Sequence, residues 1–83
     1  MKLAYFAWVR ERIGLAEEEV ALPAEVTTVA DLLVWLKGRG EGYDAALEAP
    51  EIIRVAIDHE HVAHSETLAG ASEIALFPPM TGG

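Results

Sequence analysis

One strongly marked helix limits what this chain can build. Val29, Leu32, Leu33 and Leu36 recur at i, i+3, i+4 and i+7, a single apolar stripe. Thr28 stands before them with Asp31 three residues on, in the manner of a capping box. Asp31 near the start and Lys37 and Arg39 near the end suit the helix dipole, and Gly38, Gly40 and Gly42 terminate the run. The spacing predicts a helix from 29 to about 38. A single amphipathic helix covers one face of a small sheet. The remaining apolar residues must therefore be strands that meet it from one side.

Residues 2–9, from Lys2 to Val9, have no breaker and are rich in apolar and aromatic types, which predicts a strand. Arg10 to Gly14 reads as a turn or short helical piece. Glu17 to Leu22 reads as a short strand ended by Pro23, its glutamates on a solvated edge and its partner the first strand in a hairpin. Tyr43 to Glu48 has the makings of a further helical turn before Pro50. Ile52 to Asp58 alternates as a third strand with Ile53, Val55 and Ile57 on one side, turning at His59-Glu60 into a brief strand at 61–63. Glu73 to Phe77 is the last strand. The expected order is β-β-α-β-β-β, an α+β fold with one main helix on one face of a mixed sheet.

If Leu3, Tyr5, Val9, Ile74 and Leu76 pack on the helix, then Phe6, Trp8, Ala75 and Phe77 lie on the other face. They would form an apolar docking surface there. The reversed phase would make Phe6 and Trp8 core.

The chain of 83 residues suffices for one modest core. It has no cysteine, which excludes a disulfide staple, a thiolate metal site and a side-chain thiol nucleophile. A formal charge of −8 argues against nucleic acid and against an anionic membrane surface, and points to a partner with a basic docking face. No apolar run approaches the length of a membrane span, so a cytoplasmic location is expected.

The last strand runs into Pro78-Pro79-Met80-Thr81-Gly82-Gly83. Each proline fixes its own φ and pushes its predecessor toward extended geometry, making a short stiff spacer. Gly82 and Gly83 offer no side chain to obstruct a narrow channel, leaving the terminal carboxylate as the distinctive group. Residues 1–77 are thus expected to form the domain and 78–83 an extended functional tail. Its end would be passed into another protein and chemically activated there.

No internal active site competes with this reading. His59, His61 and His64, with Asp58 and Glu60, could supply zinc donors, but a hairpin tip rich in His and Glu is ordinarily a solvated turn, and no metal site is assigned. Ser65 and Ser72 lack a nucleophile elbow. The alternating glycines at 38, 40 and 42 follow a helix, where a phosphate-binding loop would precede one. Any chemistry belongs to Gly83.

Three segments carry a resemblance that spans essentially the whole chain. Phe6-Ala-Trp-Val-Arg-Glu11, Thr28-Val29 with Leu32, and Glu73-Ile-Ala-Leu-Phe-Pro-Pro-Met-Thr-Gly-Gly83 are similar to segments of the β-grasp, ubiquitin-like sulfur carriers. The match is most specific to the small subunits of molybdopterin synthase. Asp58 stands where that family commonly has Asn, Ala71-Ser72 where it has Gly-Asp, and Met80 where it has a β-branched residue.

The resemblance implies a role in molybdenum cofactor biosynthesis. An E1-like adenylylating enzyme would use ATP on Gly83, a sulfur donor would convert the adenylate to a thiocarboxylate, and the tail would enter the large synthase subunit. It further implies a heterotetramer of two small and two large subunits, no cofactor held by this chain, and a non-catalytic part in a sulfurtransferase complex. Phe6, Arg10 and Phe77 correspond to interface positions of the family. His61 corresponds to one that is commonly apolar, and Trp8 joins them through the patch inferred above. Three alternatives remain open: a sulfur carrier for thiazole or cysteine synthesis, a ubiquitin-like protein modifier, and a binding module whose tail is inert.

Overall fold

A computed structural model describes residues 1–79. Five strands form one mixed sheet: β1 (Lys2–Tyr5), β2 (Glu17–Glu19), β3 (Arg54–Ile57), β4 (Glu60–Val62) and β5 (Glu73–Phe77). Their spatial order is β2-β1-β5-β3-β4, with β1 parallel to β5 and the other neighbours antiparallel. The helices are α1 (Ala7–Ile13), α2 (Val29–Lys37) and α3 (Glu41–Ala46), with a 3-10 turn at Pro50–Ile52. This is the β-grasp architecture expected from the sequence.

The main helix, α2, forms where the stripe and cap place it. The Thr28 hydroxyl accepts from the Asp31 amide at 3.2 Å, and the Thr28 amide donates to Asp31 Oδ2 at 3.2 Å, closing the capping box. Val29, Leu32, Leu33 and Leu36 are all buried against Leu3, Tyr5, Val55, Ile74 and Leu76 of the sheet. Removing one of these leucine side chains would cost about 2–5 kcal/mol. The segment 63–68 closes over the start of this helix. Val29 N donates to Glu66 O at 3.0 Å and Ala30 N to His64 O at 2.9 Å.

Several boundaries differ from the sequence reading. The first strand stops at Tyr5 instead of Val9. Phe6 is extended and caps α1, Ala7 turns the chain at φ +50°, and Gly14 ends the helix at φ +90°. Within this segment Val9 and Ile13, four apart, face the core as a helical pair, while Arg12 lies 4.3 Å over the ring of Trp8. Trp8 therefore belongs to a helix and not to the alternating face of a strand. β1 and β2 pair antiparallel, as a hairpin would, but α1 lies between them.

Gly42 does not terminate α2. It sits within α3, where an added Cβ would lie 2.6 Å from the Arg12 carbonyl oxygen, so it permits α3 to approach α1. The β3–β4 turn is Asp58-His59 and not His59-Glu60. Ile57 pairs with Glu60, and both turn residues have positive φ, 47° and 72°, as a type I′ hairpin requires. β2 and β3 are shorter than expected, Pro50 having drawn Ile52 into the 3-10 turn.

The glutamates of β2 do not all face solvent. Glu18 pairs with Leu3 and points inward, where it accepts from Tyr5 at 2.7 Å, Tyr43 at 2.6 Å and Arg39 at 3.0 Å. A charge directed inward also blunts an edge strand against further pairing. Burial pushes the Glu18 carboxyl up, but the bonds from Tyr43, Tyr5 and Arg39 outweigh it and hold it below the usual carboxylate range. Burial, followed by the bond to Glu18, pushes the Tyr5 hydroxyl well above its ordinary value.

Candidate functional site

The helices cover one face of the sheet and leave the other open, and the strand registers fix what lies on it. Phe77 is opposite Arg54, and Ala75 is opposite both Ala4 and Ala56. Ala56 is in turn opposite His61. Three alanines thus cross the middle of this face, so the sheet itself can be approached closely there. Phe6, which follows the buried Tyr5, turns outward and is 50% exposed.

At one end of this face the aromatic residues converge. Phe6 meets Phe77 edge-on, with ring centroids 6.4 Å apart, and His61 meets Phe77 from the other side at 5.1 Å. Edge-on packing places the positive rim of one ring against the negative face of another. Phe77 is the last residue of β5, so the cluster stands at the root of the tail, with Pro78 and Pro79 continuing from it. Beside it runs a groove of about 470 Å³ lined in part by Ile52, Arg54, Val62, His64 and Pro79.

The structure therefore brings together Phe6, His61 and Phe77, with the two prolines that follow it, from three separate segments of the chain. Arg10 lies one turn into α1 from Phe6, its amide donating to Phe6 O at 3.3 Å. Trp8 is half-buried under Arg12 and makes none of these ring contacts. Met80, Thr81, Gly82 and Gly83 lie outside the described residues.

Arg54, opposite Phe77, did not stand out in the sequence, although its place in the phase opposite Ile53 and Val55 was a usable signal. The Asp58 carboxylate was also missed. It accepts from the Ser72 amide at 3.0 Å and the Glu73 amide at 2.8 Å, clasping the start of β5. Two of the positions where the chain departs from the family pattern, Asp58 and Ser72, thus touch one another.

The three histidines do not converge. His59 is at the hairpin tip, 4.0 Å from Glu73. His61 faces Phe77. The His64 Nε2–H donates to the Ile53 carbonyl at 2.7 Å, which fixes its tautomer and ties the 63–68 segment to the residue just before β3. Among the described residues no group of three or more His, Cys, Asp or Glu is placed to hold a metal ion, and no helix is long and apolar enough to cross a membrane.

Comparison with known proteins is consistent along the whole chain. The ThiS family model matches residues 3–83. The molybdopterin synthase sulfur carrier subunit of Escherichia coli is 34% identical, over 100% of this chain and 99% of that protein. The protein of the same name from Haemophilus influenzae is 30% identical with the same coverage. Among solved structures, small archaeal modifier protein 1 of Haloferax volcanii superposes with a TM-score of 0.70 at 30% identity, covering 96% of this chain and 97% of that one.

Proposed function

The chain belongs to the ThiS family, and from that premise we propose that it is the sulfur-carrying small subunit of a molybdopterin synthase. The observation that carries the reading is the aromatic cluster of Phe6, Phe77 and His61 at the root of the tail. A surface that seats a partner sits directly beside the segment to be threaded into it.

The chemistry follows from the terminus. A carboxylate is a poor electrophile, because an oxide ion is a poor leaving group. Attack of a Gly83 carboxylate oxygen on the α-phosphorus of ATP, on an E1-like enzyme, releases pyrophosphate and leaves an acyl-adenylate. A persulfide donor then attacks the acyl carbon and expels AMP, and a second thiol on the donor's side cleaves the resulting acyl disulfide, becoming part of a disulfide itself and leaving a thiocarboxylate. That group is ionised at neutral pH and its sulfur is a strong nucleophile. With no cysteine in the chain, no side chain offers a competing thiol.

Pro78 to Gly82 then serve as the slim lead, begun by the stiff Pro78-Pro79 spacer, that places Gly83 inside the large subunit, where sulfur passes to the pterin precursor and the terminus returns to a carboxylate. The chain holds no cofactor in this scheme, ATP being bound by the activating enzyme. The assembly is two small and two large subunits in the cytoplasm. Phe6, Arg10, His61 and Phe77 form the docking face, with Trp8 at its flank.

The test is the intact mass of the protein purified with and without its co-expressed activating enzyme and a sulfur source. A gain equal to exchanging one oxygen for sulfur, localised to Gly83, is expected. An unchanged mass under conditions that charge an authentic carrier overturns the proposal.

The likeness to an archaeal modifier protein favours one second reading, in which Gly83 is joined to lysines of target proteins. Covalent adducts in lysate that vanish when Gly83 is deleted would support it. A charged terminus with no adducts would exclude it.

A further inference from the structure

Fourteen acidic residues face six lysines and arginines in this chain, so any cation should find a carboxylate nearby. Most do. Lys2 pairs with Glu17 at 3.5 Å and Glu73 at 3.6 Å, Lys37 pairs with Asp44, and Arg39 pairs with Glu18 at 3.0 Å. Arg12 donates to the Ala45 carbonyl at 3.2 Å and lies over Trp8.

Two do not: among the described residues Arg10 and Arg54 make neither an ion pair nor a side-chain hydrogen bond. Both are exposed, and the backbone places each beside one member of the aromatic pair. Arg54 is the cross-strand partner of Phe77, and Arg10 is one helical turn from Phe6. Glu51, which lines the same groove as Arg54, makes no ion pair with it.

We propose that Arg54 is a specificity residue beside the Arg10 already placed in the docking face, and that the partner surface receiving Phe6 and Phe77 is an apolar socket rimmed by carboxylates. The inference rests on the docking role proposed above and names the chemistry of the surface that is docked. Net charge leads to the opposite expectation, a basic partner face, but the cross-strand partner of Phe77 and the residue one turn from Phe6 are both arginines. A guanidinium at the edge of an apolar contact loses water when the surfaces close, and it needs a planar acceptor in return. A socket without carboxylates there would strand two charges, which selects against wrong partners as well as for the right one. His61, on the far side of Phe77, adds a third polar group to the rim.

The experiment measures association of the full chain with its cognate large synthase subunit, by calorimetry, for Arg54→Glu, Arg54→Leu, Arg10→Glu, Phe77→Ala and Lys37→Glu. Lys37→Glu makes the same change in net charge as Arg54→Glu, but on the helix face. Arg54→Glu and Arg10→Glu are each expected to weaken binding on the order of 30-fold or more, and Arg54→Leu less. Lys37→Glu should leave binding near wild type, and the melting temperatures of the arginine variants should not move.

A scan of Asp and Glu to Lys in the partner should then restore binding of Arg54→Glu at one position. If Phe77→Ala weakens binding while both arginine reversals bind as wild type, the acidic rim is refuted and the docking role stands. If Phe77→Ala also binds as wild type, the docking role itself fails and the rim with it.

Discussion

Replacing Glu18 by alanine should destabilise this domain far more than an exposed edge-strand glutamate would suggest. The Tyr5 side chain is only 1% exposed, and its hydroxyl donates to Glu18. Losing the acceptor strands that hydroxyl, at a cost of about 1–3 kcal/mol. The bonds from Tyr43 and Arg39 are nearer solvent and together add roughly 0.5–1 kcal/mol. The total, about 1.5–4 kcal/mol, is a large part of the roughly 4–12 kcal/mol expected for a domain of this size. It should lower the melting temperature by roughly 10–25 °C.

Tyr5→Phe should cost only about 1 kcal/mol, because Glu18 keeps its other two donors. In the double variant no buried hydroxyl is left unpaired, so its cost should fall short of the sum of the singles by at least about 1 kcal/mol. Urea unfolding followed through the two tryptophans, Trp8 and Trp35, measures all three variants. A double variant as unstable as the sum would show that the hydroxyl is not held by Glu18, and the reasoning about this network would be wrong.

Other outcomes follow from the same structure. The Glu18 carboxyl is held below its ordinary 4.5 in the fold, so its contribution is complete above that value and is lost as pH falls through the folded one. Glu18→Gln should flatten the acid limb of a stability-versus-pH curve, and an unchanged limb would refute this. Tyr5 is shifted the other way, so its contribution is present below its ordinary 10.0 and declines as pH rises above it. Gly42→Ala should destabilise by about 1–3 kcal/mol in urea melts, since its methyl would meet the Arg12 carbonyl backbone. Phe6→Ala, half-exposed in the free domain, should cost about 1 kcal/mol of stability but on the order of 30-fold in partner affinity. A collapse of stability instead would make Phe6 a core residue. Deleting Gly83, or adding one residue after it, should abolish sulfur loading while the melting temperature stays put.

The features read correctly from the sequence were those written in local spacing. Thr28 with Asp31 and the leucine stripe specify α2 within ten residues, and the alternation of Glu73 to Phe77 specifies β5. The first strand was read too long because Lys2 to Val9 is strand-like throughout, while the Val9–Ile13 pair and Gly14 mark a helix that begins within its last three residues. Two periodicities overlap there, and a stretch of seven residues is too short to separate them. Gly42 looks like a helix stop along the chain, and its true reason, the Arg12 carbonyl, is thirty residues away.

Glu18 between two solvated glutamates gives no sign of pointing inward, since that depends on which strand it joins and in what register. The aromatic cluster was half legible. Alternation separated Phe6 and Phe77 from Leu3, Tyr5 and Leu76, but only the sheet order places His61 and Arg54 beside them.

The central position of β5 has a mechanical consequence. A partner that grips the tail and pulls does so along the axis of β5, the strand flanked on both sides by β1 and β3. The bonds of both ladders lie across that direction, so the load falls on all of them together in shear and not on one at a time, as it would in peeling an edge strand. At the far end of β5 the Asp58 carboxylate holds the Ser72 and Glu73 amides like a backstop. In the function proposed above, the tail would be a handle fastened to the middle of the body, one that a partner could draw in and release, turn after turn, without unravelling what it is attached to.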